Sequence, residues 1–221
     1  MYQPGHFIET DPAALLAVMQ AAPLATLVRA GAALEADMLP LEVDRTDAGW
    51  RLTGHVARAN PLWREADGQD VLVLFQGAQA YVSPNWYPSK ARHGKMVPTW
   101  NYAVVQARGR LRAIEDAAWL RAFLDRLTDR HEGSRAAPWH VGDAPEDYIA
   151  ANLRAIVGIE IDVTSLEGKF KLSQNRSAED RTGVVLGLGA DAAAQRQPQA
   201  DAVAQAMLDA ERRRRESDGA A

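Results

Sequence analysis

Four short clusters in this 221-residue sequence carry side chains that could do chemistry. Lys169-Phe170-Lys171-Leu172-Ser173-Gln174-Asn175-Arg176 is the most charged of them. On an extended backbone Lys169 and Lys171 share a face. With Ser173 and Arg176 they could cradle a phosphate, because charge-assisted N–H bonds to phosphate oxygens are among the strongest hydrogen bonds. Only four of the 25 basic residues are lysines, and two of those four fall within three positions. A plain structural role fits equally well: a surface loop followed by a helix that Ser177 caps.

Gly54-His55-Val56-Ala57-Arg58-Ala59-Asn60-Pro61 reads as a strand end entering a short helix. Free N–H groups at a helix start attract anions, and Arg58 adds a fork of donors. Alternatively, Asn60 caps the helix and Arg58 is solvated. Tyr81-Val82-Ser83-Pro84-Asn85-Trp86-Tyr87 puts adjacent aromatics on a loop, where they must cover a core, a partner or a planar ligand. Val97-Pro98-Thr99-Trp100-Asn101-Tyr102 mixes aromatics with hydroxyl and amide groups, the lining a heteroaromatic ligand needs. A strand simply entering the core accounts for it as well.

Other chemistries are excluded or weak. The sequence holds no phosphate-binding P-loop, GxGxxG, His-Glu-x-x-His or Gly-x-Ser-x-Gly motif. The absence of cysteine removes disulfides, thiolate metal sites and cysteine nucleophiles, and fits a reducing cytoplasm. The five histidines show no metal-ligand spacing, so no metal is expected. Arg108, Arg110 and Arg112 alternate on one strand face, and Arg212 to Arg215 form a run. No helix-turn-helix accompanies them. The net charge of −4 gives no global attraction to DNA. No apolar run approaches the roughly 18 residues of a membrane span, and the first residues do not read as a signal peptide.

The elements that must position these groups are short strands flanked by helices. Pro12 to Ala22 predicts a helix stopped by Pro23. Strands are expected at Ala25–Ala30, Leu34–Asp44 and Trp50–Ala57, with turns at Gly31–Ala33 (Gly31 free to take a positive φ) and Thr46–Gly49. Asn60-Pro61 opens a short helix to Ala66. Asp70–Gln76 and Gln79–Val82 follow as strands, then a loop over Ser83–Met96 and a long strand over Val97–Ile114, with room for a bulge at Gly109. Asp116–His131 and Pro145–Leu153 are helices, and Val157–Leu166 is a strand. Gly168–Asn175 reads as a polar loop or short strand. Ser177 caps a helix ending near Gly187, residues 187–197 read as loose, and Pro198–Arg215 forms a terminal helix with Val203, Met207 and Leu208 inward. The last six residues should fray.

About seven closely spaced strands favour a barrel or sandwich. At 47% hydrophobic and 24% charged residues, the chain is an ordinary globular one, long enough for a core without staples. The economical organisation is a single barrel domain over 1–189, then a loose segment and helix over 190–221.

In order, Met1-Tyr2-x-Pro4-x-His6-Phe7, the Gly54–Pro61 run, Tyr81-Val82-Ser83-Pro84-x-Trp86-Tyr87, Val97–Tyr102 and Lys171–Arg176 closely resemble the PaiB family of FMN-binding negative transcriptional regulators. The likeness extends to about Leu188. It implies an α+β, mainly β fold: a split β-barrel like those of flavin reductases and pyridoxamine-phosphate oxidases, with added N- and C-terminal helices. It also implies a cytoplasmic homodimer with FMN at the subunit interface. By that resemblance the strands Leu39–Val43 and Trp50–Ala57 pass the isoalloxazine, and His55, Arg58 and Asn60 lie at the helix start that faces the phosphate. Ser83, Trp86, Thr99 and Asn101 line the ring or ribityl chain, and Lys171, Ser173 and Gln174 come from the same or the partner subunit.

Three functions follow. One is a flavin-binding regulator. Another is an FMN-dependent oxidoreductase of unknown substrate, with His55 or Tyr102 as proton donor and no catalytic residue otherwise announced. The third is a direct DNA-binding repressor using the Arg108, Arg110 and Arg112 face.

Overall fold

The computed structural model describes residues 1–31, 33–47 and 49–219. Its elements run β1 (Ile8–Glu9), α1 (Pro12–Ala21), β2 (Leu24–Ala30), β3 (Leu34–Pro40), β4 (Glu42–Thr46), β5 (Gly49–Ala57), α2 (Leu62–Glu65) and β6 (Asp70–Val82). Then come α3 (Lys90–His93), β7 (Thr99–Ile114), α4 (Ala117–Glu132), α5 (Glu146–Arg154), β8 (Ile156–Lys171), α6 (Ala178–Ala193) and α7 (Ala200–Gly219). The eight strands form one antiparallel sheet in the order β3-β2-β6-β7-β8-β5-β4, with β1 added to β8. The class is therefore α+β with a dominant sheet, as the family resemblance implies.

Contacts divide the chain into two compact units. The first comprises Met1–Val18, Gln76–Val105 and Glu167–Ala221; the second comprises Met19–Phe75 and Gln106–Leu166. In the first, Leu15, Val82, Tyr87, Phe170, Leu172, Val184, Leu188 and Val203 are buried. In the second, Leu27, Leu52, Leu62, Phe75, Leu120, Phe123, Ile159 and Ile161 are buried. Strand alternation is clean: along β7 the odd residues from Asn101 to Leu111 are buried and the even ones are not.

Several elements differ from the sequence reading. The expected strand Leu34–Asp44 is two strands, because Leu41 leaves the β2–β3 ladder and donates its N–H to the Pro23 carbonyl at 2.8 Å. β6 runs unbroken through Gly77. A Cβ there would sit 3.2 Å from the Ala103 carbonyl oxygen, so the missing side chain lets strands lie close. The loop after β6 contains a 3-10 turn (Pro84–Trp86) and α3.

β8 continues to Lys171, so the strand alternative holds for Gly168–Lys171 of the expected polar loop or short strand. α6 continues to Ala193, since the Ala-rich stretch propagates helix beyond Gly187. Leu208 is 50% exposed, while Val203 and Met207 are buried as expected. Positive φ occurs at Gly49, Gly68 and Gly94 but not at Gly31. Ala32 and Ala48 in the two expected turns, and the terminal Ala220 and Ala221, lie outside the described residues. α7 extends past Arg215 to Gly219.

Candidate functional site

The first unit holds seven of the ten nominated residues, five of them where β7 begins and β8 ends. Lys171, the last residue of β8, donates from Nζ to Thr99 Oγ1 and to the Trp100 carbonyl, both at 2.5 Å. Burial first, then the neighbouring charges of Arg176 and Lys169, pull its ammonium below the usual lysine range. Lys169 lies 5.6 Å from the Tyr102 ring and 5.7 Å from the Tyr2 ring. Arg176 lies 5.3 Å from the Tyr87 ring and makes a long contact from Nη1 to Met96 Sδ at 3.8 Å. Among the described residues no carboxylate lies within ion-pair distance of Lys169, Lys171 or Arg176. Three cations without counter-charge, in a chain of net charge −4, form an anion-attracting site.

Asn101 and Ser173 are brought together but face inward. Asn101 Nδ2 donates to Ser173 Oγ at 3.0 Å and approaches Met207 Sδ at 3.4 Å; both polar side chains are buried. Ser173 takes the left-handed conformation at φ 65°, a strained choice for a residue with a Cβ. Gln174 holds that turn: its Nε2 donates to the Phe170 carbonyl at 2.6 Å and its Oε1 accepts from Leu172 N at 2.7 Å. These contacts aim Lys171 and Arg176.

The loop after β6 is seated on α6. Ser83 caps the 3-10 turn by accepting from Asn85 N at 3.2 Å. Trp86 lies on Gly187, where a Cβ would fall 2.3 Å from its ring, and its carbonyl lies against Gly183. Ser89 donates to the buried Asp180 from both N (3.1 Å) and Oγ (2.8 Å). Burial alone would raise the Asp180 carboxyl, but these bonds hold it below the usual range. Tyr87 is thereby buried with its hydroxyl lacking a hydrogen-bond partner of good geometry, beside Arg176 and Ser173; burial pushes its pKa up. Neither the Ser89–Asp180 pair nor the glycine seat is visible in the sequence, where the two partners stand 91 residues apart.

In the second unit, Asn60 Oδ1 accepts from Leu62 N at 2.9 Å, and its Nδ2 donates to Asp37 at 3.1 Å. Arg58 donates to the Arg154 carbonyl (2.8 Å), the Ile156 carbonyl (3.2 Å) and Glu115 (2.5 Å), and lies 5.7 Å from the Trp63 ring. His55 packs edge-on to Phe123 at 5.8 Å, and burial lowers its pKa. Arg112 pairs with the buried Glu160.

Residues 1–165 match the model of a family described as "Putative FMN-binding domain". The chain belongs to this family. Within it, protease synthase and sporulation protein PAI 2 of Bacillus subtilis is 35% identical over 148 residues, covering 66% of this chain and 69% of that protein. An uncharacterized protein of Aspergillus fumigatus is 37% identical over 169 residues, 62% of this chain and 65% of the relative, just under two thirds of its length. The FAD and heme binding protein of Mycobacterium smegmatis has a TM-score of 0.55 at 18% identity, covering 79% of this chain and 78% of that one. A conserved hypothetical protein of Mycobacterium tuberculosis has a TM-score of 0.51 at 12% identity, covering 79% and 92%.

At those identities the structural likeness speaks to fold alone, and it bears out the flavin-binding split-barrel class. The motif resemblance to PaiB proteins is borne out by the family and by PAI 2. FMN is the cofactor of this family, and the first unit suits it: unpaired cations for a phosphate, with Trp100 and Tyr81 (ring centroids 6.2 Å apart) exposed beside them. The cations Lys169, Lys171 and Arg176 lie just beyond the residues matched by the family model.

Proposed function

We propose that this chain binds FMN with the phosphate held by Lys171 and Arg176, and that the flavin-loaded homodimer regulates gene expression in the cytoplasm. The observation that carries the binding mode is the trio of cations lacking carboxylate partners around Lys171. Thr99 orients the Lys171 ammonium, while Gln174 and Ser173 shape the turn that brings Arg176 alongside. Asn101 acts indirectly, by fixing Ser173. Trp86 and Ser83 hold the loop that buries Tyr87. Bound FMN supplies the redox chemistry of its isoalloxazine; the protein side provides charge, shape and exclusion of water.

The regulatory part is supported by the likeness to PAI 2, whose name links it to protease synthesis and sporulation. Direct DNA contact through Arg108, Arg110 and Arg112 finds less support, because Arg112 is committed to Glu160. No helix among the described residues is long and apolar enough to cross a membrane.

The test is an FMN titration followed by flavin absorbance and fluorescence, with Lys171→Met, Arg176→Met and Arg58→Ala beside the unchanged chain. Loss of a charge-assisted bond costs about 1.5–3 kcal/mol, so affinity should fall about 10- to 100-fold in the first two variants. An unchanged affinity in both would overturn the binding mode. A loss confined to Arg58→Ala would move the phosphate to the second unit.

A further inference from the structure

The sequence has five methionines and no cysteine, so methionine carries all of its sulfur chemistry. Met19 and Met207 are buried, and Met38 is 57% exposed on β3. Met96 lies in the segment between α3 and β7, half-buried, with Lys95 and Val97 exposed on either side. The polar partners of these sulfurs differ. Met38 Sδ accepts from the Thr26 hydroxyl at 3.2 Å, and Met207 Sδ meets the Asn101 amide at 3.4 Å. Met96 Sδ meets a cation, Arg176 Nη1, at 3.8 Å.

A thioether is a weak acceptor. At that distance it holds Arg176 loosely, and no carboxylate lies within ion-pair distance among the described residues. Oxidation changes the partner. A sulfoxide turns the apolar side chain polar, and its oxygen sits on the same sulfur that already touches the guanidinium. That oxygen comes within reach of the Arg176 N–H and makes a charge-assisted bond. The guanidinium already lies over the Tyr87 ring, 5.3 Å from its centre, so it need not be recruited from solvent.

We infer that Met96 is an oxidation site whose sulfoxide captures Arg176 and withdraws it from a bound phosphate. The oxidant is hydrogen peroxide. A lone pair of Sδ attacks one peroxide oxygen, and the S–O bond forms as the O–O bond breaks. The sulfur gives up two electrons, and the second oxygen leaves with both protons as water. Methionine sulfoxide reductase reverses the change. The consequence for flavin rests on the proposed FMN reading; the capture of Arg176 does not.

The test treats the full chain with hydrogen peroxide and maps the added oxygen by peptide mass spectrometry. Met96 and Met38 should oxidise before the buried Met19 and Met207. Capture is read without flavin, from the rate at which phenylglyoxal labels Arg176. Labelling should slow severalfold after oxidation, recover after reductase treatment, and not respond to peroxide in Met96→Leu. FMN titration is the second readout. Affinity should fall about 10-fold on oxidation, the cost of one charge-assisted bond, with no such response in Met96→Leu. Met96→Gln, whose carboxamide oxygen accepts from Arg176, should bind FMN less tightly than Met96→Leu without any oxidant. Met96 left unoxidised beside oxidised Met38, undiminished Arg176 labelling, or an affinity loss that persists in Met96→Leu overturns the inference. Slowed labelling in a chain that never bound FMN supports the capture and overturns the FMN reading instead.

Discussion

Arg58 and Lys171 occupy similar places in the chain. Each stands at the end of a long strand, just before a turn that opens a helix, and each looked in sequence like a phosphate ligand. Their neighbours treat their charge in opposite ways. Arg58 is met by Glu115, by two backbone carbonyls and by the face of Trp63, so its cation helps hold the second unit together. Lys171 is met by a hydroxyl, a carbonyl and two more cations, so its charge is crowded by like charge rather than answered. A cation that the fold has neutralised serves structure; one that the fold leaves crowded and unpaired is available to a ligand.

Four variants would break or sharpen this contrast. The largest effect is expected from Gly183→Ala. The new Cβ would lie 2.1 Å from the Trp86 carbonyl oxygen, a backbone atom that cannot rotate away. Overpacking of this kind costs about 3 kcal/mol, which is roughly 6–12 °C in Tm for a chain this long. Thermal unfolding measures that, and FMN binding should weaken with it as the loop lifts.

Lys171→Met comes next and should separate stability from function. The lowered folded pKa means the unfolded chain holds this proton more readily, so the charged lysine disfavours the folded state at neutral pH. Flavin-free Lys171→Met should therefore be spared that penalty and melt no lower than the unchanged chain, while binding FMN less tightly. A lower Tm together with unchanged binding would make Lys171 a structural residue like Arg58.

Arg58→Ala should do the reverse, lowering Tm by about 2–8 °C through the loss of roughly 1–2 kcal/mol in partly exposed bonds. FMN affinity should stay within a factor of about three.

The smallest effect concerns His55. Its folded pKa lies below the ordinary value of 6.5, so the unfolded state takes up the proton first. Its contribution is complete above that pH and is lost as pH falls through 6.5 towards the lower folded value. The Tm of His55→Leu should fall less steeply between neutral pH and about pH 5 than that of the unchanged chain.

Much of the fold was legible from the sequence. The Leu-Ala-Val helix after Pro12, the Val-Leu-Val-Leu-Phe strand and the period of Trp119, Leu120 and Phe123 are local patterns that burial turns directly into elements. The split at Leu41 was not, because it depends on the carbonyl of Pro23 accepting its N–H across a bend. Between polar loop and short strand at Gly168 the sequence left the choice open, since polar residues form a strand only when a neighbour supplies the ladder; β1 does so, pairing Ile8 with Lys169. For the site, the motifs mark the stretches, and the structure adds what the side chains within them bond. Asn101, Ser173 and Gln174 read as ligand contacts, yet each spends its polar atoms on its own chain.

The sequence by itself determined the family, the class of cofactor and the residue types at each strand end, because these are written in short contiguous motifs. The tertiary structure decided which cations keep their charge unanswered. That depends on whether a carboxylate distant in sequence, such as Glu115 for Arg58, arrives within hydrogen-bond reach, and Coulomb energy falls with distance in space rather than along the chain.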